Sequence, residues 1–291
     1  MFSNLKNSLS PVLFIALLIA TIMSGFFWLN TISSANSTGD RQWDLQHNYQ
    51  IGKTLTIEGI EDNLSGLTFH PPSGNLYAVR NNPEQIVVFT TAGKLLRKID
   101  LLGFSDTESI DHIADNRFII GEERLHTISF IQIDETTEAI HYSDVDTIAV
   151  AAAEKTNKGL EGLAFSHQHG LFLVYEEPAQ IRHFALEASN DNGQFDAIKH
   201  VQFDIDDFSG LALLDDGKQQ KLLVLSDESN SLHVIDLAGR ELSRLRLGSG
   251  PFNFWSKLKQ PEGIAVDTQG NIYIVGEPNQ LLVLSRKTPM L

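Results

Sequence analysis

Five short phrases in this chain begin with Ser or Glu, usually followed by Gly and an aliphatic residue, and each ends in a polar cluster. They are NLSGLTFHPPSGNLYAVRNNP from Asn63, DTESIDHIADNRFIIGEER from Asp106 and GLEGLAFSHQHGLFLVYEEP from Gly159, then DFSGLALLDDGKQQKLLVLSDES from Asp207 and QPEGIAVDTQGNIYIVGEPN from Gln260. Aligned with one another, they pair Ser65 with Asn81, Glu108 with Glu122, Glu161 with Glu176, Ser209 with Asp227 and Glu262 with Glu277. Seven of these ten residues are carboxylates. Brought together, like charges either raise one another's pKa or recruit a cation. Oxygen-only donors around a concavity suit calcium or another hard divalent ion. Glu108, Glu122, Glu161, Glu176, Glu262 and Glu277 are therefore the candidate metal ligands. The register within Glu122-Glu123, Glu176-Glu177 and Asp227-Glu228 stays open by one residue, and a slip of one turns a side chain to the other face of a strand.

The elements that must position these residues follow from the same phrases. Each contains a short strand, a turn and a second apolar strand, with Ser73-Gly74-Asn75, Asp115-Asn116, Asp215-Asp216-Gly217 and Gln269-Gly270-Asn271 supplying the residues that tight hairpins need. A third strand follows each pair and a fourth follows most, as in KLLRKIDL and RELSRLRL. Phrase starts recur after 43 to 53 residues. Four antiparallel strands at that period are the signature of a β-propeller blade. A β-sandwich does not account for such a repeat. The chain is thus expected to be all-β, a propeller of five four-stranded blades. The fifth unit shows three strands, and Tyr49 to Ile60 is expected to supply its fourth, closing the ring and removing sheet edges. In that fold the first strand of a blade lines the central channel, and the end of the second strand returns beside its start. The candidate ligands then collect at one mouth of one channel.

The N-terminus is of another character. Pro11 to Leu29 is uncharged and apolar, long enough to span a bilayer as one transmembrane helix and ending near Trp28. Lys6 precedes it, which places the N-terminus in the cytoplasm and the rest outside. A cleavable signal peptide is the rival reading, with Ser33 and Ala35 near a possible cut; the length of the run favours an uncleaved anchor. The organisation expected is an anchor over 1–30, a polar linker over 31–48 and a propeller over 49–291. Lys and Arg total 22 against 37 Asp and Glu, a net charge of −15, so a phosphate backbone would be repelled and nucleic acid is an unsuitable partner. There is no cysteine, which excludes disulfides, thiolate metal sites and a cysteine nucleophile.

Other chemistry is sparse. His70, His112, His126, His167 and His169 do not form a metal-ligand spacing such as HExxH, and there is no G-x-S-x-G nucleophile elbow or phosphate-cradling glycine loop. The stretches AAAEKTNKG and SGPFNFWSKLKQ join successive units on the mouth side and carry Lys155, Lys158, Lys257, Lys259, Phe252, Phe254 and Trp255.

The phrases EGLAFS, LLVLSDES and EGIAVDTQGNIYIVGEPN, behind an N-terminal span, resemble the SdiA-regulated, YjiK-like family over roughly Glu58 to Ser285. The resemblance implies a propeller outside the inner membrane of a Gram-negative bacterium, in the periplasm, with calcium held by acidic blade residues. It also implies a looser similarity to phytase-like and esterase-like propellers. Glu161, Glu262 and Glu277 match the family phrases best, with Glu108 and Glu176 next; Ser65 and Asn81 depart from the acidic pattern. Two functions remain open on these residues: a calcium-stabilised module that presents its mouth to a small-molecule or protein ligand, or a metal-dependent hydrolase of a phosphate ester or lactone.

Overall fold

The computed structural model describes residues 41–150, 159–176, 179–184, 205–247 and 258–288 in full, and the backbone alone of 194–195 and 199–201. The chain folds as an all-β propeller of five blades. Blade I comprises Leu64–His70, Asn75–Asn81, Glu84–Thr90 and Leu95–Leu102, and blade II Thr107–Ala114, Arg117–Glu122, Thr127–Gln132 and Asp146–Val150. Blade III is Leu160–Ser166, Gly170–Tyr175, Gln180–Phe184 and Lys199–Val201, and blade IV Gly210–Asp215, Gln220–Ser226, Ser231–Ile235 and Glu241–Arg246. Blade V is Pro261–Val266, Ile272–Gly276 and Gln280–Arg286, completed from the other end of the chain. Blades I and II each gain a short fifth strand, Ala139–His141 and Gln194–Phe195, added in parallel at the outer edge.

Burial explains the strand sequences. The second strand of each blade is covered on both faces, so it reads as a continuous apolar run such as Leu222–Leu225 or Ile272–Val275. Outer strands alternate, as Leu95–Leu102 does with Ile99 and Leu101 inward. The apolar residues gather in five clusters, one at each junction of neighbouring blades. A cluster also joins blade V to blade I, through Val275, Leu281, Leu76 and Phe89, so the ring is closed.

Closure uses Tyr49–Ile51, paired antiparallel with Leu284 to Arg286, and Leu55–Thr56, paired with Gln280 and Leu281. The single strand expected from Tyr49 to Ile60 is thus two short pieces. Between them Gly52 lies so close to Val283 that an added Cβ would stand 2.8 Å from its carbonyl oxygen. Beyond them Ile57 and Ile60 turn into the blade V–I core. Residues 41–48, read from sequence as linker, are packed: Trp43 and Leu45 are buried with Tyr49 in the blade IV–V cluster, and Lys287 donates to the carbonyls of Gln46 and His47. Among the described residues helix is confined to Leu45–Asn48 and two 3-10 turns, and no helix is long and apolar enough to cross a membrane. The apolar run from Pro11 to Leu29 lies outside the described residues.

Close approach of the inner strands accounts for the glycine of the repeat. A Cβ on Gly66 would stand 2.5 Å from Cα of Ser109, one on Gly162 2.9 Å from the Leu211 nitrogen, and one on Gly263 2.6 Å from the Ser65 oxygen. Blade II has Ser109 at this position, and its hydroxyl is accommodated by a glycine on the partner strand, Gly121.

Candidate functional site at the channel mouth

The heads of the inner strands are shaped by bulges. Ladder pairing skips Glu108 between Thr107 and Ser109, Glu161 between Leu160 and Gly162, and Glu262 between Pro261 and Gly263. In blade I it skips Ser65 and Gly66. A bulge frees a residue from the pleat and re-aims its side chain. The second strand returns to the same end, pairing Glu122 with Thr107, Tyr175 with Leu160 and Gly276 with Pro261. The next residue in each case is an acid, whose N–H donates across the hairpin: Glu123 to the Asp106 carbonyl at 2.9 Å, Glu176 to Gly159 at 3.2 Å and Glu277 to Gln260 at 3.1 Å.

These residues line one cavity of about 330 Å³. Ser65, Asn81, Glu108, Glu161, Glu176, Ser209, Asp227, Glu262 and Glu277, all named from sequence, meet there. Glu122 does not. It is fully buried, accepts from the Ser105 N–H and the Thr127 hydroxyl at 3.0 Å each, and Glu123 takes the place at the mouth. The bulge at Glu108 sets the register: Glu122 is still in the ladder opposite Thr107, facing a neighbouring blade, and the mouth begins one residue later. Spacing carries that signal, because Glu123 follows Glu108 by 15 positions, as Glu176 follows Glu161 and Glu277 follows Glu262. Asp207 also lines the cavity and was not singled out from sequence, and Glu228, the register alternative to Asp227, lines it together with Asp227. Asp207 precedes the blade IV head residue by two positions, as Asp106 does in blade II.

Among the described residues no lining residue is basic, and the carboxyls respond to one another. Burial pushes Glu161 up to about 9, helped by the charges of Glu108, Glu123, Glu176 and Glu262. Glu262 rises to about 9 through burial, then Asp227, Glu277, Glu108 and Glu176. Glu123 rises to about 7 through burial and its contact with Asp106. Glu277 and Asp227 are raised as well, burial first in each. Glu108 is raised by burial, against the pull of two donors: the Ser65 hydroxyl and the Asn81 amide, each 2.5 Å from its carboxylate.

Carboxylate oxygens of Asp106, Glu108 and Glu123 lie within 4.8 Å of one another, a spacing at which one ion could bridge them. On the opposite wall the Ser209 hydroxyl is buried without a hydrogen-bond partner. A buried hydroxyl of that kind costs free energy until something accepts its company. Oxygen donors alone, mostly charged and in excess of what one ion takes, fit a hard divalent cation. The residues Lys155, Lys158, Lys257, Phe252, Phe254 and Trp255 lie outside the described residues; Lys259 is exposed, with its N–H donating to the Gln280 side chain.

The model of the SdiA-regulated family matches residues 40–285, the whole of the propeller just described. The chain belongs to the SdiA-regulated family. Among solved structures it is similar to a luciferin-regenerating enzyme, at 10% identity and a TM-score of 0.54, covering 83% of this chain and 98% of that one. It is similar also to the glutaminyl cyclase of Myxococcus xanthus, at 13% identity and a TM-score of 0.52, covering 81% of this chain and 95% of that one. At such identities the likeness is one of propeller fold.

Proposed function

We propose that the mouth binds a divalent cation, calcium in the first place, and that the cation-loaded propeller is a binding module for a ligand or partner at the cell envelope. The observation that carries this reading is the convergence of carboxylates from four blades on one cavity, with no basic residue among the described residues of its lining. Glu161, Glu176, Glu262 and Glu277 would hold the ion, with Glu108 and Glu123 on the blade II side and the Ser209 hydroxyl as a neutral donor. The ion would offset the repulsion that raises Glu161 and Glu262. The apolar run at 11–29 would anchor the chain in the inner membrane with the propeller in the periplasm. Arg41–Asn48 joins the propeller at the end opposite the mouth, since Tyr49 pairs with Arg286 at the far end of a strand that starts just after Glu277.

The test is calcium-dependent melting of the full-length protein, followed by a panel of esters, phosphate esters and lactones. A rise in Tm with calcium and no turnover supports the binding module. Turnover that needs the ion, and that Glu123→Gln removes, supports the metal-dependent hydrolase instead. No effect of calcium, magnesium or manganese on Tm sinks both.

A further inference from the structure

Blade I breaks the acidic pattern of the mouth. It carries Ser65 where blades II, III and V carry Glu108, Glu161 and Glu262, and its returning strand brings Asn81 to the place of Glu123, Glu176 and Glu277. Both side chains are spent on one neighbour. The Ser65 hydroxyl donates to Oε2 of Glu108 and the Asn81 amide to Oε1, each at 2.5 Å. The two donors come from different strands of blade I and take one oxygen each, so together they fix the direction and the plane of the carboxylate. Ser65 and Glu108 are both buried, which shields these bonds from competing water.

The backbone brings this contact about. Gly66 follows Ser65, and a Cβ there would stand 2.5 Å from Cα of Ser109 and 2.7 Å from the Glu108 carbonyl oxygen. Glycine lets the inner strands of blades I and II approach this closely, and the approach also sets the Ser65 hydroxyl 3.0 Å from that same carbonyl oxygen. Neutral residues are what the geometry needs. An ionised acid at position 65 or 81 would supply no hydrogen and would press a second carboxylate against Glu108. A serine head is not by itself a clamp: the hydroxyl of Ser209, the neutral head of blade IV, has no hydrogen-bond partner.

We propose that Ser65 and Asn81 are positioning residues, a donor clamp from blade I that holds the Glu108 carboxylate beside Asp106 and Glu123 for a cation that neither Ser65 nor Asn81 touches. The clamp presupposes the cation-binding mouth proposed above and gives blade I its part in it. Each Glu108 oxygen keeps a lone pair for the ion after accepting from its donor. Carboxylate oxygens of the three acids already lie within 4.8 Å of one another. A ligand oriented in advance binds more tightly, and the outer partners of metal ligands typically account for about 10- to 100-fold in affinity.

The test is a double-mutant cycle on calcium binding by the full-length protein in detergent micelles, read by calorimetry. Asn81→Leu, which keeps the size of the side chain and removes the donor, should weaken binding by about tenfold. Ser65→Ala removes the other donor at the loss of one oxygen atom and should weaken binding in the same direction. In a Glu108→Ala background, where no carboxylate is left to orient, Asn81→Leu should change affinity by less than about twofold. A residue that only supports the fold, or that binds the ion itself, would cost the same in both backgrounds, and that outcome overturns the proposal. So does an affinity within about twofold of the unmodified protein in both Asn81→Leu and Ser65→Ala. If the unmodified protein binds no calcium, magnesium or manganese, the cation site fails and the clamp with it; if it binds the ion but the losses add, the clamp alone fails.

Discussion

Three residues below Glu108 on the same inner strand stands another carboxylate, the half-buried Asp111, and the protein supplies everything it needs. Its Oδ1 accepts from the Thr68 hydroxyl and the His112 N–H at 2.8 Å each, and its Oδ2 from the Phe165 N–H at 2.7 Å. Burial lifts its pKa to about 6 while these three bonds act downward. The histidines nearby are likewise occupied: Nε2 of both His70 and His112 lies 2.8 Å from the Asp115 carbonyl, and that of His167 lies 2.9 Å from the Ile113 carbonyl. At the mouth the inner strands of blades III and V hold Glu161 and Glu262 at about 9, pushed there by burial and by other acids. The difference separates a structural carboxylate from a ligand-seeking one. Asp111 ties three blades together with donors drawn from inside the fold, whereas on the proposed reading Glu161 and Glu262 wait for a cation from outside.

The sharpest way to break this comparison is to neutralise the centre of the mouth. Glu161→Gln with Glu262→Gln should weaken calcium binding by ~1,000-fold, read by calorimetry, because ligand charge sets affinity in all-oxygen sites. Retention of affinity within a few-fold would place the ion elsewhere.

Next in size is the response of the cation-free protein to pH. A carboxyl whose pKa is raised in the folded state binds more protons folded than unfolded between the two values. Stability is therefore present below the unfolded value of 4.5 and is lost as pH rises toward about 9. In the presence of a chelator, Tm should fall by ~10 °C between about pH 6 and about pH 9. Calcium, or the double glutamine variant, should flatten that slope. A Tm that rises over the same range would mean the mouth is not the dominant titrating region.

Asp111→Ala examines the other half of the comparison. It removes the acceptor of the Thr68 hydroxyl and of the Phe165 N–H and one of the two acceptors of the His112 N–H, so it should destabilise the protein by about 2 kcal/mol in denaturant melts. The loss should be the same with and without calcium, and calcium affinity should stay within about twofold. A calcium-dependent loss would join the two regions into one site.

The ring itself was legible because each blade must bury a similar second strand and bring a similar head to the channel, and that requirement prints a period on the sequence. EGLAFS and EGIAVD carry the head glutamate and the close-approach glycine together, so Glu161 and Glu262 could be placed at the mouth from residues alone. Closure by the N-terminal strand followed from a unit short of one strand. What escaped has weaker marks. Trp43 and Leu45 are two apolar residues in a polar stretch, too few for a pattern, yet both are buried against blades IV and V. Asp207 opens the fourth phrase two residues ahead of Ser209, and its side chain is held by Ser226 and the backbone of Asp227 and Glu228, partners set by the hairpin's path and not by spacing along the chain.

The choice between Glu122 and Glu123 is the smallest effect and the finest test. Both are acids, adjacent, at the end of the second strand of blade II. A regular ladder would give no way to choose, but the bulge at Glu108 puts two residues of the inner strand against one and moves the mouth position to the residue after the last pair. Glu122 has both carboxylate oxygens occupied inside the fold, and Glu123 lines the cavity beside Asp106. Glu123→Gln should weaken calcium binding by about tenfold with little change in cation-free stability at mildly acidic pH, where the carboxyl already holds its proton. Glu122→Gln should leave calcium affinity within about twofold and show up as a modest loss of stability, ~1 kcal/mol, because an amide can accept on only one side. If the two variants exchange these behaviours, the register at the head of blade II is shifted by one residue, and Glu122 is the ligand.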